Sequence, residues 1–186
     1  MISSIPKRED SLNLLSDYIE SESLIEHCKM VAYAMEAYAN KLDKSDLEVL
    51  KWWTAGLLHD LDWEKYPEEH PNKAVNHILP PLGYSSDILT AIKAHAPERT
   101  GVEPQREMDR YLFACDELSG FLKAVSLMRP NGFSDMKVKS VTKKLKDKRF
   151  AANVPREDIE KGADLIDIEL NVHIQFLIDQ FKKGND

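Results

Sequence analysis

Apolar side chains recur at three- and four-residue intervals along most of the chain. Nowhere do β-branched and polar residues alternate with the period of two that a half-buried strand requires. The pattern predicts an all-α protein. Leu24, Cys28, Val31, Met35 and Tyr38 form one apolar face. Two stretches, Ser23-Leu24-Ile25-Glu26 and Ser45-Asp46-Leu47-Glu48, fit a capping box, in which serine takes the amide three residues on and glutamate returns the bond. They predict helices over about 24–41 and 45–59. The period lapses across 62–71, which reads as a loop. Pro71 suits the first position of a short helix that Pro80-Pro81-Leu82-Gly83 ends. Ser85 or Ser86 caps the next, which runs to about His95 before Ala96-Pro97 closes it. A long helix over about 105–128 carries Met108, Tyr111, Leu112, Cys115, Leu118, Leu122 and Val125 on one side. Beyond the turn Arg129-Pro130-Asn131-Gly132, Val138, Val141 and Leu145 make the stripe of an amphipathic helix. A last apolar helix over 164–183 should dock on the core through Ile166, Leu170, Leu177 and Phe181.

Composition supports this picture and narrows it. The 186 residues, 42% hydrophobic and 31% charged, suit one folded domain with a sizeable core, and only seven glycines fit a helical rather than a sheet-rich fold. No run approaches the roughly 18 apolar residues of a membrane span, and residues 1–15 lack a signal-peptide core, so a cytoplasmic protein without a membrane partner is expected. Cys28 and Cys115 are too few and too far apart for a disulfide framework or a zinc pair and read as core thiols. The net charge of −7 argues against an extended nucleic-acid surface, yet it is an average of unlike parts: residues 137–149 carry +6, leaving −13 elsewhere.

The distribution of histidine points to chemistry. Five of six fall in the first 95 residues, and on the helical reading His27, the pair His59-Asp60, His70 and His95 lie at or near the ends of successive helices, with Asp116 inside the long one. Imidazoles and carboxylates brought together from separate helices are how all-α folds build di-metal sites. Gly56, one turn before His59-Asp60, reads as room left for a cation. Asp116 follows Tyr111-Leu112-Phe113-Ala114-Cys115, and a carboxylate on so apolar a face calls for a bound cation.

The series His27, Gly56-Leu57-Leu58-His59-Asp60, His70 with Ala74 and Ile78-Leu79 behind it, Ala91-Ile92-Lys93-Ala94-His95 and Ala114-Cys115-Asp116-Glu117 resembles the HD superfamily of metal-dependent phosphohydrolases over about 24–125. Its order is similar to that of the six-ligand HD enzymes that cleave diadenosine polyphosphates. The stretch from Arg129 through Lys139-Ser140-Val141 and Lys148-Arg149-Phe150-Ala151-Ala152 is similar to a bacterial group of predicted HD hydrolases.

The resemblance implies a single HD domain over 1–186: an all-α bundle with its core at about 20–130 and a helical extension at 131–186. It makes His27, His59, Asp60 and Asp116 ligands of one divalent metal. Asp60 bridges to a second, completed by His70 and His95, with His77 an alternative to His70. One ion or two remain open, as do Mn, Fe, Co, Ni and Zn, with Mg a further candidate. The implied reaction is hydrolysis of a phosphate ester or anhydride of a small molecule, a nucleotide among the candidates, by a metal-activated water. A di-iron oxygenase of the same fold and a non-catalytic nucleotide-sensing module are the alternatives. Asp60, Lys65 and Arg99 are the candidate catalytic residues. Trp63, Lys65, Arg99, Thr100 and, from the Lys-rich face, Lys139 and Lys143 are the candidates for contacting the small phosphorylated substrate. A homo-oligomer stays open. His173 reads as a packed or surface residue, with support of the site as the alternative.

Overall fold

The computed structural model describes residues 5–183, which are helical with no strand among the described residues. In chain order the helices are α1 (Arg8–Tyr18), α2 (Glu22–Lys41), α3 (Asp46–Leu58), a π-helical turn (Ala74–Ile78) and a 3-10 turn (Pro80–Leu82), then α4 (Ser86–Ala94), α5 (Pro97–Thr100), α6 (Glu107–Leu127), α7 (Val138–Leu145), α8 (Arg156–Leu165) and α9 (Leu170–Lys183). None is long and apolar enough to cross a membrane.

The serine caps explain where two helices begin. Ser45 accepts the Glu48 amide at 3.4 Å, as the capping pattern anticipates. In α2 the capping residue is Ser21 rather than Ser23, accepting from Leu24 at 3.4 Å. A distant group makes the difference: the Glu64 carboxylate, in the loop after α3, takes the amides of Glu20 and Ser21 at 3.1 and 3.0 Å and so sets the entry into α2.

Helix α2 lies at the centre, packed on α3, α6 and α9, while α4 and α8 flank α6. Tyr38, Met35, Trp52 and Phe121 are among the fully buried side chains. Each buried Leu or Ile contributes roughly 2 kcal/mol by leaving water; α9 docks on the bundle through the expected Leu177 and Phe181 together with Ile174 and Ile178, while Leu170 is only partly buried. Gly56 corrects the expectation attached to it. A Cβ there would meet the Ala32 Cα at 2.8 Å and the Val31 carbonyl oxygen at 2.9 Å, so its missing side chain lets α3 close on α2 instead of making room for a cation.

Two helices carry little local signal. Helix α1 docks through tertiary contacts: Arg8 pairs with Glu36 of α2 and lies 4.6 Å from the Trp53 ring centroid. Helix α8 buries Ile159, Gly162 and Ala163, two of them too small to register as a hydrophobic face. The single helix expected over 164–183 is broken after α8, where Asp167 adopts φ +54° and α9 starts afresh at Leu170. Helix α4 ends at Ala94, before Ala96-Pro97 as expected, and Pro97 also opens the single turn α5.

Candidate metal centre

Each residue of the expected set is delivered by a different part of the bundle. His27 stands in the second turn of α2, His59 caps the C-terminus of α3 with Asp60 next to it, His70 lies in the following loop, His95 caps α4 and Asp116 is in the middle of α6. Their functional atoms converge. The His27 and His59 Nε2 atoms are 3.2 Å apart and lie 3.0 and 3.3 Å from Asp116 Oδ1. Asp60 turns Oδ2 toward this group, 3.4 Å from His59 and 3.8 Å from His27, and Oδ1 toward the other pair, 3.5 Å from His70 Nε2 and 3.8 Å from His95 Nε2. The carboxylate therefore stands between two sets of donors, His27-His59-Asp60 and Asp60-His70-His95, each with its atoms within 4.8 Å of one another.

The far ring nitrogens settle the tautomers. His59 Nδ1–H donates to the Gly56 carbonyl at 2.8 Å and His95 Nδ1–H to the Ile92 carbonyl at 2.5 Å, both within the residue's own helix. His70 Nδ1–H donates to Asp62 Oδ1 at 2.7 Å, and Asp62 Oδ2, fully buried, accepts the Ala74 amide at 2.7 Å. Carbonyl and carboxylate oxygens can only accept, so in the neutral form of each of the three rings the lone pair lies on Nε2 and faces the centre. This is the state a metal ligand needs.

Electrostatics point the same way. Burial alone would raise the Asp60 and Asp116 carboxyls and discourage charge on His59. The mutual attraction prevails: His59 and its neighbouring imidazoles hold both carboxyls well below the usual range, and Asp60 and Asp116 hold the His59 pKa well above that of a free imidazole. In the metal-free protein a proton on His59 thus serves as the cation between two buried carboxylates. The donor set, oxygen and imidazole in two groups sharing one carboxylate, fits a divalent transition metal in either position.

A cavity of about 400 Å³ opens onto these residues, walled also by Trp63, Phe113, Arg99, Glu98, Glu117, Asn153, Val154 and Asp158. Burial, then Asp116, Asp158 and Asp60, push the Glu117 carboxyl up to about 8, and burial raises that of Asp158. Trp63 stands edge-on to His70 at 5.0 Å between centroids, is 42% exposed and lines the cavity. Arg99 sits at the rim, but its guanidinium donates to the Pro67 carbonyl at 2.8 Å and lies 5.1 Å from the Trp63 ring centroid.

The other expected contacts are elsewhere. Lys65 donates to the Asp17 carbonyl at 2.6 Å and lies over Tyr18, fastening the end of α1 instead of facing the metals. Thr100 donates to the Lys93 carbonyl at 2.8 Å and ties α5 to α4. Lys139 and Lys143 are exposed on α7 and do not line the cavity, because α7 presents only its apolar stripe to the bundle. His77 is exposed on the π-helical turn, so the geometry selects His70. Sequence reading assigned no role to Asp62, Glu117, Asn153 or Asp158. For Asp62 a signal existed, an acid two residues after the His-Asp pair; Asn153 and Asp158 arrive by long-range packing.

No curated protein and no solved structure matches the chain significantly. A family model described as the HD domain matches residues 24–120, just over half of the chain, a span that contains every residue converging on the centre. The chain belongs to the HD domain superfamily of metal-dependent phosphohydrolases.

Proposed function

We propose that the protein hydrolyses a phosphate ester of a small molecule at a two-metal centre held by His27, His59, Asp60, His70, His95 and Asp116. The observation that carries this reading is the division of the Asp60 carboxylate, one oxygen toward each imidazole group. Bound divalent ions would supply Lewis-acid activation of water and charge neutralisation of the phosphate. The chain's own residues do the rest. Asp62 holds the His70 ring in one tautomer and orientation, and the main chain does so for His59 and His95. Phe113 and Trp63 give the cavity apolar wall beside the centre. Asp158, whose carboxyl burial raises, is placed on the wall to give a proton to the departing oxygen.

The wall favours an ester over an anhydride. Glu98, Glu117 and Asp158 face the cavity, and its one basic side chain, Arg99, already bonds main-chain carbonyls. A polyphosphate tail would find no free basic side chain to receive it, while a single phosphate would be neutralised by ions held at the two donor groups. Phosphate release by the Mn²⁺-, Co²⁺- or Ni²⁺-loaded protein should be fastest for monophosphate esters; hydrolysis confined to polyphosphates, or oxygen uptake by the iron-loaded protein without phosphate release, contradicts the reading.

A further inference from the structure

The region that follows the HD match reaches the centre from behind. Helices α8 and α9 both touch Ala114 of α6, two residues before Asp116. Residues two apart on a helix point about 200° from one another, so Ala114 lies on the opposite side of α6 from the carboxylate. On α9, His173 is fully buried: its Nε2–H donates to the Ala114 carbonyl at 3.0 Å and its Nδ1 accepts the Tyr38 hydroxyl at 2.7 Å. Tyr38 belongs to α2, about three turns along the same face from His27. On α8, Gly162 approaches so closely that a Cβ would stand 2.7 Å from the Ala114 Cα. A merely space-filling residue at 173 would need neither ring nitrogen, yet both are used, and they join the helix of one ligand to the helix of another.

We propose that His173 and Gly162 are positioning residues for the metal centre: they brace α6 from behind and fix the distance of Asp116 from His27 and His59. The inference rests on those residues being metal ligands. Groups bonded directly to a metal ligand are commonly worth 10- to 100-fold in affinity, and groups acting one contact further out belong at or below the lower end of that range.

Mn²⁺ titration of the metal-free protein, followed by calorimetry beside a thermal melt of each variant, tests it. His173→Asn, whose short amide reaches Tyr38 but not Ala114, should weaken Mn²⁺ binding about tenfold. Gly162→Ala, which drives α6 forward, should do the same. His173→Gln, whose amide N–H stands where Nε2–H does, should restore affinity to near that of the wild type. Phe181→Leu, a change on α9 against Phe133, should lower the melting temperature and leave affinity alone. If His173→Asn does not fold, Tyr38→Phe, which deletes one oxygen, should still weaken binding about threefold. Wild-type binding with His173→Asn, Gly162→Ala and Tyr38→Phe unaltered would overturn the proposal, as would an equal loss in Phe181→Leu. No Mn²⁺ binding by the wild type would overturn the ligand reading itself and this inference with it.

Discussion

Between residues 22 and 120 three of the rings that face the centre are set by near neighbours in sequence: His59 bonds Gly56 and His95 bonds Ile92, each three residues back, and His70 bonds Asp62, eight residues back. Beyond residue 130 nothing comparable happens. The chain contributes Asn153, Val154 and Asp158 to the cavity wall, and His173 and Gly162 to the back of α6, all by packing across long stretches of sequence. The conspicuous local feature of that region, its run of lysines, stays on the surface of α7. Ligands are thus encoded locally and can be found from spacing; what shapes and steadies the site is encoded by the fold.

The sharpest way to break the first region is Asp60→Ala, which removes the carboxylate shared by both imidazole groups. Phosphate release should fall by about 10³-fold or more, equivalent to roughly 4 kcal/mol of transition-state stabilisation. Steady-state kinetics with excess Mn²⁺ checks it, and a loss below tenfold would leave the shared-carboxylate geometry without a role. Next in size is Asp62→Asn. An amide has one acceptor oxygen for two donors, His70 Nδ1–H and the Ala74 amide, so one is left unmatched. Mn²⁺ affinity should drop about 10- to 100-fold, read by titration.

Legibility follows the same division. The capping serine before α3, the apolar face of α2 and the order of His27, His59-Asp60, His70, His95 and Asp116 are short-range patterns and could be read directly. Helix α1 could not, since it is held by Arg8 against Glu36 and Trp53, partners outside its own sequence. Helix α8 was hidden because Gly162 and Ala163 pack by smallness. Lys65 misled for a related reason: nearness to Asp60 in sequence suggested a phosphate contact, but the loop turns it onto the Asp17 carbonyl. Gly56 was noticed for the right cause, an unexplained glycine in a helix, and given the wrong neighbour.

Titration of the metal-free protein gives a further contrast. His59 has a raised pKa when folded, so its contribution to stability is present below the unfolded value of about 6.5 and is lost as pH rises through the folded value. Asp60 and Asp116 have lowered values, so theirs is present above about 4 and is lost as pH falls. A metal must displace the His59 proton, and Mn²⁺ affinity should therefore rise with pH by up to about tenfold per unit below that pKa. Calorimetric titrations across pH 6 to 8 measure this, and a flat profile would contradict the charged His59. The smallest effect is expected in the second region. Replacing Lys139 and Lys143 together by alanine should leave KM unchanged at low and high salt, whereas a salt-sensitive rise in KM would bring α7 back to the substrate.

The claim on which the rest depends is that Asp60 divides two metal positions, and elemental analysis of the freshly purified protein, repeated after reconstitution with Mn²⁺, addresses it most directly. Two divalent ions per chain are predicted, falling in Asp60→Ala to background, as the two donor groups that share this carboxylate require. A wild-type protein that carries none, and takes up none of Mn, Co, Ni, Fe or Mg, would contradict the account.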